Sequence, residues 1–201
     1  MTAKEMLEEL EACSLEMPDQ DDVELKKDGR FSEDIMRVHL RKLWKLQRLT
    51  EEEKYIIRHL AIMPEKGTRK SDFKRLMKLN NTNAVNRLIN RGIITGEENG
   101  TVLTMHPLVR EITRIELRPS ITACYNMFSY LNSISRVAGA DVKTPDVAID
   151  IIMSVAEGIL CEEGDHLDYL RYLQDIVMIL TKYNREDRIP RLLEMIKEEL
   201  D

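Results

Sequence analysis

The sequence predicts a mainly α-helical protein carrying one small β-hairpin. Apolar residues recur at helical spacing through most of its 201 residues. Aromatic residues make up only 5% while there are 11 methionines, a composition suited to helix-on-helix packing rather than to a β-sandwich. One stretch departs from the helical period: residues 93–105 place IIT and TVLTM on either side of GEENG, which reads as two short strands and a turn.

The elements follow in order. Residues 3–12 form a first short helix with Ala3, Met6, Leu7 and Leu10 on one face, and SLEMPDQDD loosens the chain after it. A second helix is expected over residues 33–49, with Met36, Leu40, Leu43 and Trp44 inward. At Thr50 the signals sharpen: TEEE sets Thr50 three residues before Glu53, a capping box, and Ile56, Ile57, Leu60 and Ala61 make a stripe that ends at Pro64. Ser71 is the expected cap of a helix with Phe73, Leu76 and Met77 inward. Asn81 or Thr82 is the expected cap of another, with Ala84, Val85, Leu88 and Ile89 inward and Gly92 closing it. After the hairpin a helix opens at Pro107, because proline fits the first helical position, where its missing N–H costs nothing. Three helices, a hairpin and a closing helix make a winged helix-turn-helix arrangement over residues 50–118. Arg118-Pro119 ends it, and four more helices are expected at about 120–138, 145–160, 165–183 and 187–200. Residues 119–201 therefore read as a helical-pair array, and residues 1–49 as a separate helical segment.

Charge and motif content narrow the function. The formal charge is −6, from 36 acidic and 30 basic residues, which argues against wholesale coating of nucleic acid or a cationic membrane surface. MTAKEMLEELEAC has neither the basic start nor the apolar run of a secretory signal. Val147–Leu160, the most apolar stretch, carries Asp150 and Glu157 and is too short to span a bilayer, so a cytoplasmic protein without a membrane partner is expected. Cys13, Cys124 and Cys161 are scattered, and the four histidines (39, 59, 106 and 166) form no i, i+4 pair; neither set has the spacing of a metal site. None of the glycines is followed by lysine, so there is no G-x-x-x-x-G-K-[ST] phosphate loop, and no serine lies in a G-x-S-x-G elbow. The expectation is a non-enzyme with no cofactor of its own.

Two places stand out as sites. Between Pro64 and Gly92 eight basic residues face only Glu65 and Asp72. Within that patch Lys70, Lys74, Arg75, Asn83, Asn86, Arg87 and Arg91 are of the types that contact phosphates or base edges, which gives a DNA-binding regulator as the alternative function. The GEENG turn is acidic, and a wing laid on a phosphate backbone should be basic, so a protein surface is the preferred reading. The second place is His106, on the elbow between the last strand and the closing helix, beside the helix end where anions are favoured.

LTEEEKYIIRHLAIMPEKGTRKSDF, NAVNRLINRGIIT and TMHPLVREITRIELRP together resemble the winged-helix segment of bacterial NB-ARC-type ATPases of the STAND class, which commonly carry tetratricopeptide-like repeats behind it. The resemblance is strongest from Leu49 to Pro119. It implies that residues 1–49 correspond to the end of the small helical (ARC) subdomain, and residues 119–201 to the start of the repeat array. It implies too that His106 is the histidine that reaches the β-phosphate of ADP, with ADP or ATP as ligand of the intact family. Met105 and His106 match the family's Met-His-Asp motif, whereas Pro107 stands where plant and animal members often have aspartate. The chain then reads as a fragment or truncated relative: a non-catalytic regulatory and interaction unit for signal transduction, whose partners are a protein or the missing nucleotide-binding domain.

Overall fold

A computed structural model describes residues 46–139 and 146–200. The helix expected over residues 3–12 lies outside the described residues. So does that over 33–49 except for its end, where Leu46–Arg48 forms a 3-10 turn. The protein is mainly α-helical, with a small three-stranded sheet. Among the described residues no helix is long and apolar enough to cross a membrane.

Helix α1 (Glu51–Leu60) begins where the TEEE signal places it. The Glu53 N–H donates to Thr50 Oγ1 at 3.2 Å and the Thr50 N–H donates to Glu53 Oε2 at 3.0 Å, so two of the N–H groups that a helix start leaves unpaired are satisfied reciprocally. Its apolar stripe, Ile56, Ile57 and Leu60, is buried. Strand β1 (Thr68–Arg69) then runs straight into α2 (Lys70–Leu76). Ser71 is not the cap: it sits inside the first turn, and the Lys70 N–H is taken instead by the Thr101 carbonyl across the sheet at 2.8 Å. Helix α3 (Asn83–Asn90) opens after Asn81, whose Oδ1 accepts from the Asn83 N–H at 2.9 Å.

Strands β2 (Thr95–Gly96) and β3 (Val102–Thr104) pair antiparallel, Thr95 opposite Thr104, and β1 adds to the other edge of β3, giving the order β1-β3-β2. The connecting residues are not a bare turn; Glu97–Gly100 form one helical turn, α4. Gly67, at φ +94°, enters this sheet where a Cβ would lie 2.7 Å from both Val102 Cγ1 and Thr104 Cγ2, so only glycine fits.

Helix α5 (Pro107–Leu117) opens at Pro107 and lies against α1, and each helix caps the carboxyl end of the other. Arg58 Nε of α1 donates to the Leu117 carbonyl at 2.9 Å. In return Arg110 donates to the Ala61 and Met63 carbonyls, and Arg114 Nε to Ala61 at 3.1 Å. Positive charge at these carbonyls also opposes the negative end of the helix dipole. Arg110 is 5% exposed, so its guanidinium has exchanged water for carbonyl oxygens.

The chain leaves α5 through Pro119–Ile121, which bonds to Leu160, two residues beyond the end of α7 (Asp146–Gly158): the Leu160 N–H donates to Pro119 O and the Ile121 N–H to Leu160 O. Helix α6 (Tyr125–Gly139) packs on α8 (His166–Lys182), where Phe128 meets Tyr172 edge to face at 5.0 Å. The Tyr172 and Tyr169 hydroxyls donate to the α7 carbonyls of Ile152 and Ala156, satisfying two buried phenols. Helix α9 (Ile189–Leu200) closes the set against α8. One contiguous apolar core runs from Leu46 to Met195.

His59 belongs to that core. It is fully buried, its Nδ1 contacts the Tyr55 carbonyl at 2.7 Å, and burial pushes its pKa down to about 4. A histidine held neutral in the folded state and free to charge in the unfolded one lowers stability as pH falls from about 6.5 towards 4. Acid titration followed by denaturant melts is expected to show a loss of up to about 3 kcal/mol over that range, and His59→Leu to flatten it.

Candidate functional site

Several basic residues of the 64–92 patch are paired with carboxylates of the protein itself. Glu53, already the third residue of the α1 capping box, is fully buried and turns its carboxylate to α3. Arg87 Nε donates to Glu53 Oε1 at 2.9 Å, Arg91 to Oε2 at 3.2 Å, and Arg87 reaches Glu52 as well at 3.2 Å. Burial acts to raise the Glu53 pKa, but the Thr50 N–H, Arg87 and Arg91 outweigh it and hold the carboxyl below the usual range. The two arginines of α3 thus serve as ties to α1. Arg75 pairs with Asp72 at 3.2 Å, and Lys66 pairs with Asp150 of α7. Lys70 donates to Asn86 Oδ1 at 2.7 Å, which joins α2 to α3, and Asn83 is exposed at the head of α3. Among the described residues Arg69, Lys70, Lys74 and Lys78 have no ion pair. Arg69, Lys70 and Lys74, with Ser71, Thr82 and Thr101, line an open cleft of about 540 Å³.

His106 is exposed and is the N-cap of α5: its Nδ1 accepts from the Leu108 N–H at 3.2 Å. With Nδ1 accepting, the ring proton lies on Nε2, which is left as a donor. The geometry also moves the anion-binding capacity of this helix end. Pro107 has no N–H and that of Leu108 is occupied, so the imidazole edge, more than the backbone, faces an incoming anion.

One helical turn beyond His106 is Arg110 and one further is Arg114, on the same face of α5. Both hold α1, and Arg114 continues to α7: a Cβ on Gly158 would lie 2.9 Å from Arg114 Nη2 and 3.0 Å from Ile62 Cγ2. A second tie runs beside it. Asp150 of α7 takes Lys66 on one oxygen and Arg188 on the other, at 2.9 Å, and although burial acts to raise its pKa these cations hold it below the usual range. Between these ties lies a charged cleft of about 650 Å³. The histidine elbow is therefore the head of a rod about 16 Å long whose side is anchored to α1 and whose arginine touches the C-terminal helices.

If His106 does nothing but cap, a better capping residue should replace it without loss. His106→Ala is expected to cost about 0.5–1 kcal/mol in thermal or denaturant melts, and His106→Ser to restore that stability. The serine variant then separates the imidazole from the cap in any functional assay.

Comparison with protein-family models, with curated protein sequences and with solved structures finds no match to this chain.

Proposed function

We propose that this chain is a non-catalytic regulatory and interaction unit of the NB-ARC, STAND-type kind. In this reading residues 50–118 are a winged helix whose His106 senses ADP or ATP held by a nucleotide-binding domain that these 201 residues do not contain. Residues 119–201 are a tetratricopeptide-like helical domain that meets a protein partner in the cytoplasm, and residues 1–49 correspond to the end of the small helical subdomain.

The observation that carries the reading is the placement of His106. Its Nε2 donor is exposed at the head of α5, and the same helix runs through Arg110 and Arg114 to α1 and α7. A phosphate bonded there would pull on a rod already fastened to the C-terminal helices, which is what coupling nucleotide state to an interaction platform requires. The order of helices and the β1-β3-β2 sheet support the winged-helix part of the reading.

One charge-assisted hydrogen bond contributes about 1.5–3 kcal/mol, too little to hold a free nucleotide once association costs are met. Isothermal titration of this chain with ADP is therefore expected to give no measurable binding. Joined behind an NB-ARC-type P-loop domain, the His106→Ser variant should release ADP about tenfold or more faster than the parent sequence. Unchanged release would contradict the proposal.

The second reading, a DNA-binding regulator, draws on the cleft lined by Arg69, Lys70 and Lys74. It is weaker because Arg87 and Arg91, on the helix that would enter a major groove, are engaged with Glu53. A gel shift on random duplex DNA is expected to show no complex even at low salt. A complex that dissolves with added salt and is lost in Lys70→Glu/Lys74→Glu would move the conclusion to DNA.

A further inference from the structure

Cys161, His166 and Glu199 come from three separate places in the chain and meet at one point. Cys161 follows α7, His166 is the first residue of α8, and Glu199 lies in the last turn of α9. Their Sγ, Nδ1 and carboxylate oxygen lie within 4.8 Å of one another. Sγ and Nδ1 are 3.8 Å apart, and Nδ1 is in direct contact with Glu199 Oε1. Asp165 adjoins the group, and its Oδ2 is buried with no hydrogen-bond partner.

A histidine–glutamate ion pair would account for two of these residues. It does not account for a thiol converging on the same imidazole nitrogen, nor for a buried carboxylate oxygen beside them with nothing to accept from. Sulfur, imidazole and carboxylate donors are the set that tetrahedral zinc takes, with metal–sulfur and metal–nitrogen distances of about 2.3 and 2.0–2.1 Å. Those lengths put sulfur and nitrogen about 3.5 Å apart across a tetrahedral edge, close to the 3.8 Å found here. Glu199 must draw back by about an ångström to admit the ion. It can do so, since it sits near the helix end on a long side chain and Nδ1 is its nearest tie.

We propose that Cys161, His166 and Glu199 bind one divalent transition-metal ion of the zinc class. Binding exchanges the thiol proton for a metal–sulfur bond and releases that proton to solvent. The ion would clip the loop between α7 and α8 to the carboxyl end of α9, joining three places far apart in the chain. The proposal is independent of what His106 does, since the two places share no residue.

Cobalt(II) substitution tests it directly. The full chain, freed of metal by a chelator, is titrated with Co²⁺ and then with Zn²⁺. The expected result is a thiolate-to-cobalt charge-transfer band, with the visible bands of four-coordinate cobalt, both removed by zinc. Cys161→Ser should abolish the charge-transfer band while Cys13→Ser keeps it, and His166→Ala or Glu199→Gln should weaken cobalt binding at least about tenfold. Circular dichroism of each metal-free variant checks that it remains folded. No charge-transfer band, or a band that survives Cys161→Ser, would overturn the proposal, as would unaltered cobalt affinity in both His166→Ala and Glu199→Gln.

Discussion

The architecture depends on arginine contacts that close the carboxyl ends of α1 and α5. Arg110 and Arg114 place guanidinium groups over the last carbonyls of α1, and Arg58 does the same for α5. A helix end pointed into protein leaves carbonyls that water can no longer reach, and each costs on the order of 1–3 kcal/mol if left unpaired. The pair solves this for both helices with side chains from its own contact face. The same geometry sets α5 against α1, leaves its N-cap, His106, exposed, and brings Arg114 against α7.

Glu53 holds the other end of that assembly. Its carboxylate completes the Thr50 cap and accepts from Arg87 and Arg91, so the start of α1 and the length of α3 are fixed by one buried side chain. Part of the charge of the patch is consequently paired within the protein. What remains basic and unpaired is the neighbourhood of Arg69, Lys70, Lys74 and Lys78, a smaller surface than eight cations in 29 residues would suggest.

Some of this was legible in the sequence because the signals are local. The capping box at Thr50, the proline at position 107 and the switch to a strand-like period each involve residues within a few positions of one another, and α1, α5 and the β2–β3 pair lie there. The expected cap at Ser71 was not found because its helix takes its first partner from Thr101, thirty residues away in the sheet. Strand β1 has two residues, too few for any alternation to register. Pairing of charge was equally invisible: nothing near Arg87 says that Glu53 waits for it. Arg110 looks like an exposed residue of an amphipathic helix until Ala61 and Met63 are placed against it. Cys161 and His166, separated from Glu199 by more than thirty residues, match no short metal-ligand spacing, so the cluster exists only in three dimensions.

The central claim is that α5 is a mechanical link, rigidly fastened to α1 and through Arg114 to the C-terminal helices. Native-state hydrogen exchange on Arg110→Met measures it. If the link exists, protection should fall together in the last turn of α1, along α5 and in α7 near Gly158. Loss confined to the end of α1, with α5 and α7 protected as before, would show that the two halves of the molecule are not coupled through this helix.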